Sequence, residues 1–197
     1  EINTGSDSIT LTASDSENAF DASSAASISI DGATLNAGDV SITAESTASG
    51  SSSLPLAVVD VDSSALVSIV DTEITSSGNV TISATSILTA TAEAEGPGFD
   101  SVGADAAVAM AFTDSTAGAH LSGTSSISAG GNFSLEAANT ITVTASGDAS
   151  SATAGGSLGL AVVSGVTEAY IDSTGPISAG DIDVSATITD SITTTAK

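Results

Sequence analysis

The sequence predicts an all-β solenoid, and three observations predict it: a pattern that returns at irregular intervals, a period of two inside each copy, and an apolar supply made of small side chains. The pattern is Leu35-Asn36-Ala37-Gly38-Asp39-Val40-Ser41-Ile42-Thr43-Ala44, and it returns over 74–84, 127–137 and 177–186 with a Gly-Asx pair ahead of an alternating stretch. A short copy, Ile9-Thr10-Leu11-Thr12-Ala13, belongs to a degenerate first repeat over residues 1–25. The closing alanines 13, 44, 84, 137 and 186 lie about 31, 40, 53 and 49 positions apart, so the repeat is irregular. Aromatics make up 3% of 197 residues, and a wide core normally draws on rings of about 150–250 Å² each. Narrow layers of Ala, Val, Ile and Leu suit this supply better.

Each element follows from spacing. Val80, Ile82 and Ala84 face one side of a strand while Thr81 and Ser83 face the other. A second recurrent piece precedes each Gly-Asx copy: Ala26–Ile30, Ala65–Ile69, Ala117–Leu121 and Thr167–Ile171. From its start to the closing Ala takes about 18–20 residues, the size of one small solenoid coil, which predicts nine or ten coils and a rod about 45 Å long. The remainder of each repeat ranges from about 13 to 33 residues, with turn signals at Gly96-Pro97-Gly98 and Gly155-Gly156, and reads as coils carrying loops of differing length. Ile141/Val143/Ala145 matches Leu88/Ala90/Ala92, and the runs 54–61, 102–112 and 158–163 are apolar enough to be buried. The pairs Gly38-Asp39, Gly78-Asn79, Gly131-Asn132 and Gly180-Asp181 read as recurrent corner turns. There Gly supplies a positive φ and the Asx side chain closes the bend, with stacked Asx residues forming a partial ladder. No sustained helical apolar period occurs.

Charge limits the partners. The formal net charge is −23, with 24 acidic residues against one basic one, so nucleic acid and anionic lipid would be repelled. Cations are the favoured counterparts, and outward acids also keep a long β surface soluble. There is no Cys, and no apolar run approaches the 18 or more residues that span a bilayer, so membrane insertion is not expected. Residues 1–197 read as a single solenoid segment, an excerpt of a larger protein ending on its sole basic residue, Lys197.

The stretch Thr167-Glu168-Ala169-Tyr170-Ile171-Asp172, followed by Ile177-Ser178-Ala179-Gly180-Asp181-Ile182-Asp183-Val184-Ser185-Ala186-Thr187, resembles the repeats of giant secreted bacterial proteins of the filamentous-haemagglutinin and leukotoxin type. The Gly-rich lead-in over 154–163 is similar to theirs, and the likeness runs from about Ala26 to the end. The resemblance implies a right-handed parallel β-helix located outside the cell or on its surface, serving as a fibre, adhesin or exoprotein.

The residues offer little chemistry beyond this. β-Helical enzymes that act on acidic sugars need Arg or Lys beside their carboxylates, and none precedes Lys197. A β-helical glycosidase needs only two carboxylates and stays a distant alternative. The single His120 stands at an outward-type position with no nucleophile elbow nearby. Calcium, weakly bound, has its best candidates in Asp60, Asp62, Asp181 and Asp183, which sit in pairs two apart on a strand face, although no EF-hand or nonapeptide spacing occurs. The Thr-x-Thr pairs at 10/12, 89/91, 142/144 and 187/189 do not align into one array across the repeats. The expected function is a non-catalytic extracellular structural or adhesive module that stacks end to end into filaments or continues within a longer chain. A cation- or carbohydrate-binding surface domain, with cell-surface glycans as possible partners, is the alternative.

Overall fold

A computed structural model describes residues 1–96, 104–150 and 154–197. The chain winds through fourteen strands and no helix among the described residues. The first coil holds β1 (Ile2–Asn3), β2 (Ile9–Asn18) and β3 (Asp21–Asp31); the second, β4 (Thr34–Ala37), β5 (Val40–Ser52) and β6 (Leu56–Val70). The third holds β7 (Glu73–Ser76), β8 (Val80–Glu95) and β9 (Ala104–Gly123), and the fourth β10 (Ser126–Ala129), β11 (Phe133–Asp148) and β12 (Ala154–Ser173). The last has only β13 (Ile177–Ser178) and β14 (Ile182–Ala196). Every third strand pairs, always in parallel. Three sheets result: a narrow one (β1-β4-β7-β10-β13), a first broad one (β2-β5-β8-β11-β14) and a second broad one (β3-β6-β9-β12). This is a parallel β-helix.

The expected number of coils is corrected by this topology. One whole repeat makes one coil, so there are five coils, the last partial, and at about 4.8 Å per coil the column rises roughly 20 Å. The near-constant module of 18–20 residues covers only the two corners flanking the narrow sheet. Among the described residues the variable part lengthens the two broad strands together, from 10 and 11 residues in the first coil to 16 and 20 in the third. Pro97 and Gly98 of the predicted turn lie outside the described residues, whereas Gly155 and Gly156 sit inside β12.

Two cores follow from this shape. Where three sheets meet, the coil is a tube filled by Phe133, Leu35, Ile42, Ile69, Ile74, Ile82, Leu121, Ile127 and Leu135. Beyond it the two broad sheets lie face to face, and eleven of the sixteen buried residues between them are Ala. Such thin filling brings backbones together. A Cβ on Gly159 would collide with the carbonyl oxygens of Ala145 and Thr195. The scarcity of aromatics is thereby explained.

Between the two cores runs a buried polar file. Ser24, Ser46, Ser63, Ser86 and Ser115 alternate between the broad sheets up the axis, with Oγ···Oγ distances of 3.0, 2.9, 2.7 and 2.9 Å. Ser115 Oγ then donates to Asn139 Oδ1 at 2.7 Å, and Asn139 Nδ2 donates to the carbonyls of Ser115 and Val166 at 3.1 and 3.4 Å. Each hydroxyl is buried, and each finds its partner in the next member of the file, as a dry polar group requires.

Candidate functional site

Three features are placed by this scaffold: a corner ladder, an acidic row and the two ends of the column. The corner ladder lies between the narrow sheet and the first broad sheet. Asp39 Oδ1 accepts the N–H of Asn79 at 2.7 Å, Asn79 Oδ1 that of Asn132 at 2.9 Å, and Asn132 Oδ1 that of Asp181 at 3.2 Å. Each Asx thus satisfies the corner of the coil above it. The expected reason for the preceding glycines is corrected: Gly38, Gly78, Gly131 and Gly180 are not at positive φ. Gly38, Gly78 and Gly131 are required by close approach, since a Cβ on Gly78 or Gly131 would occupy the space of Asp39 Oδ1 or Asn79 Oδ1 in the coil below, while at Gly180 the fit is only tight. Positive φ occurs instead at Gly5 in the first coil and at the other corner, at Gly32, Asp71 and Gly123, where Asp71 Oδ1 accepts the N–H and hydroxyl of Thr124 at 2.8 and 3.0 Å.

The calcium candidates separate into two unconnected places. Asp60 and Asp62 stand on the outer face of β6, paired with Asp21 and Asp114 of adjacent coils respectively. Burial, then the neighbouring charges of Asp60, Asp114 and Asp21, push the Asp62 carboxyl above its ordinary value. Asp181 is tied into the corner ladder and Asp183 stands exposed on β14, in the first broad sheet. Among the described residues no group of three or more His, Cys, Asp or Glu is arranged to hold a metal. His120 is outward on β9. It stacks on Tyr170 of the next coil with ring centroids 4.2 Å apart, and its Nε2 lies 3.8 Å from Glu168. On the outer face of the first broad sheet, Thr89/Thr91 register with Thr142/Thr144, but Thr187/Thr189 fall opposite Ala138/Thr140.

The two ends differ in chemistry. In the first coil the inward positions opposite Ser46 and Ala48 are Asp15 and Glu17. Their carboxylates accept N–H groups from the open edge of β3, Ala25 to Asp15 at 2.9 Å and Ser23 to Glu17 at 3.2 Å. The N–H of Ala25 and the hydroxyl of Ser24 hold Asp15 below the usual carboxylate range. Periodicity alone did not flag this closure, because it depends on which strand edge lacks a neighbour. In the last coil the inward positions are Ile182, Val184, Ile188 and Ile192, in register with Phe133, Leu135, Asn139 and Val143 but 41–52% exposed. Among the described residues no strand pairs with the upper edges of β12 and β14.

No helix of the described residues is long and apolar enough to cross a membrane. Comparison with protein-family models, curated proteins and solved structures finds no match for this chain.

Proposed function

We propose that the chain is an extracellular structural and adhesive module of the kind its repeats resemble, a rigid spacer that extends by stacking coils on its C-terminal face. The observation that carries this reading is the row Ile182, Val184, Ile188 and Ile192, core-register side chains left open beside unpaired strand edges. An open parallel edge over an apolar face is a template for a further strand, from the same chain or another. Stacking on the opposite face is disfavoured, since a strand beneath β3 would have to displace Asp15 and Glu17 from its N–H groups. A surface location is supported by the −23 charge, which keeps neighbouring columns apart laterally while leaving axial contact open. The test is sedimentation of the 197-residue protein at rising concentration in about 0.15 M salt, where the screening length is about 8 Å. Self-association that Ile188→Asp/Ile192→Asp abolishes is expected. A wild-type protein that stays monomeric throughout would overturn the proposal.

A further inference from the structure

The outer face of the second broad sheet breaks the rule followed by the rest of the surface. Leu56, Val108 and Leu158 stand in one row across three coils, Val58, Met110 and Leu160 in the next, and Phe112 and Val162 beside Asp60 in the third. The expectation that the runs over 54–61, 102–112 and 158–163 are buried is corrected here for their alternate residues, positions 102 and 103 lying outside the described residues. Ala57, Val59, Val61, Ala107, Ala109 and Ala111 point inward and are buried, while Leu56 is 58% exposed, Leu158 49% and Val162 47%. The only Met of the chain and one of its four Phe thus lie outside, while alanine fills the core behind them. Phe20 and Leu54, also exposed, line a shallow groove at one margin together with Leu56 and Val58. Eight large apolar side chains in register across adjacent strands are far from the scattered singles that need no explanation. The corresponding rows of the other broad sheet are hydroxylated: Ser49/Thr89/Thr142/Ser191 and Ser51/Thr91/Thr144/Thr193.

Charge selects the occupant. The patch ends along the strands at two rows of acid, Asp21 and Asp60 and then Asp62 and Asp114, with no cationic neighbour; the one Lys is at the chain end, 3.7 Å from Asp148. A second copy of this chain would bring more acid to those rows, and a phosphate-bearing lipid surface would be repelled by them. A partner that presents an apolar stripe followed by basic residues satisfies both halves. The dimensions suit a helix: three strands about 4.8 Å apart make a bed roughly 10 Å wide, close to a helix diameter, and four residues of strand run about 13 Å, or two to three helical turns.

We propose that this face is a docking site for a cationic amphipathic helix of another polypeptide. The helix lies along the strands, its apolar anchors at i, i+3/i+4 and i+7 rest in turn on the rows Leu56/Val108/Leu158, Val58/Met110/Leu160 and Phe112/Val162, and its basic end reaches Asp62 and Asp114. The site is independent of the coil-stacking face.

The probe is a fluorescent fourteen-residue Leu/Lys peptide with an apolar stripe and a basic C-terminal turn, titrated against the 197-residue protein by anisotropy in about 0.15 M salt. Met110→Thr/Leu160→Thr is expected to weaken binding at least tenfold and Asp62→Asn/Asp114→Asn three- to tenfold. Glu45→Gln/Glu136→Gln, which removes equal charge from the other broad face, should leave it within twofold. Should the first variant lower the melting temperature, Val58→Thr/Val162→Thr replaces it. Equal weakening by all charge variants with no effect of the apolar ones would reduce the binding to diffuse attraction and overturn the proposal. So would apolar variants that dissolve a dimer of the free protein, or abolish flotation with zwitterionic vesicles, while leaving peptide binding intact.

Discussion

The tube and the flattened extension are built from the same strands, yet they fill their interiors by opposite means. β8 contributes Val80, Ile82 and Ala84 to the tube and Leu88, Ala90, Ala92 and Ala94 to the extension, with Ser86 at the boundary. In the tube, walls on three sides leave room for branched and aromatic side chains. In the extension two sheets meet face to face, and only Ala, Gly and a few larger residues beside the serine file fit between them. The lesson is that width along the coil is set by the small inward residues: a solenoid can broaden without acquiring rings.

Substitutions that reverse the two filling rules test this contrast most severely. Leu135→Ala in the tube opens a cavity between fixed strands and is expected to cost about 2–5 kcal/mol, read from urea unfolding midpoints. Ala111→Leu in the extension forces apart sheets already in close approach and should cost about 1–3 kcal/mol, whereas Ala111→Gly should cost less than Leu135→Ala. Equal tolerance of the two large changes would remove the distinction between the cores. At the boundary, Ser86→Ala leaves Ser63 and Ser115 each short of a partner and should cost roughly 1–3 kcal/mol, despite making the interior more apolar.

Acid should act on the first coil before the tube. The carboxyls of Asp15, Asp71 and Asp148 sit below their ordinary value of 3.8 because N–H and hydroxyl groups bind the charged form. Their contribution is present above that value and is lost as pH falls through the lower folded value. Asp15→Asn should therefore flatten the stability profile between about pH 4 and 2, with amide exchange in β3 reporting the change first. The smallest effect is expected at Asp62, whose raised pKa means that its charged form weighs against the fold above that pKa and is relieved by protonation. Asp62→Asn should stabilise the protein at neutral pH by less than ~1 kcal/mol, and calcium should stabilise wild type slightly more than the variant. Titration calorimetry showing a stoichiometric, micromolar calcium site would instead make the acidic row a dedicated ion site.

Strand alternation, parallel stacking and the Asx corners were legible because each copy repeats them at fixed offsets from its closing Ala. The pairing of Ile141/Val143/Ala145 with Leu88/Ala90/Ala92 was legible for the same reason. Coil size was not. Sequence likeness is concentrated in the tube, where three walls constrain residue choice, while most of the extension asks only for a small inward residue and leaves little to align beyond the 88–92 and 141–145 stretches. The module was therefore mistaken for the coil. The serine file did leave a signal, since Ser46, Ser86 and Asn139 each fall two residues after a closing Ala, at 44, 84 and 137. The carboxylate closure by Asp15 and Glu17 could only be recognised once β3 was seen to stand at the edge of its sheet among the described residues.

The serine file also has an arithmetic of protons. Asp15, bound by the Ser24 hydroxyl, and Asn139 Oδ1 are acceptors at its two ends, and neither has a proton to give along the file. Five hydroxyls lie between them and six oxygen-to-oxygen links must be bridged. Donors at the bottom point toward Asp15 and donors at the top toward Asn139, so somewhere between them two hydroxyls turn their backs on each other. Ser46 and Ser86 donate toward the bottom and Ser115 toward the top, which places the fault between Ser86 and Ser115; turning the Ser115 hydroxyl moves it by one link without displacing any heavy atom. The column thus contains one reversal of bond polarity, set between the two broad strands of its third coil.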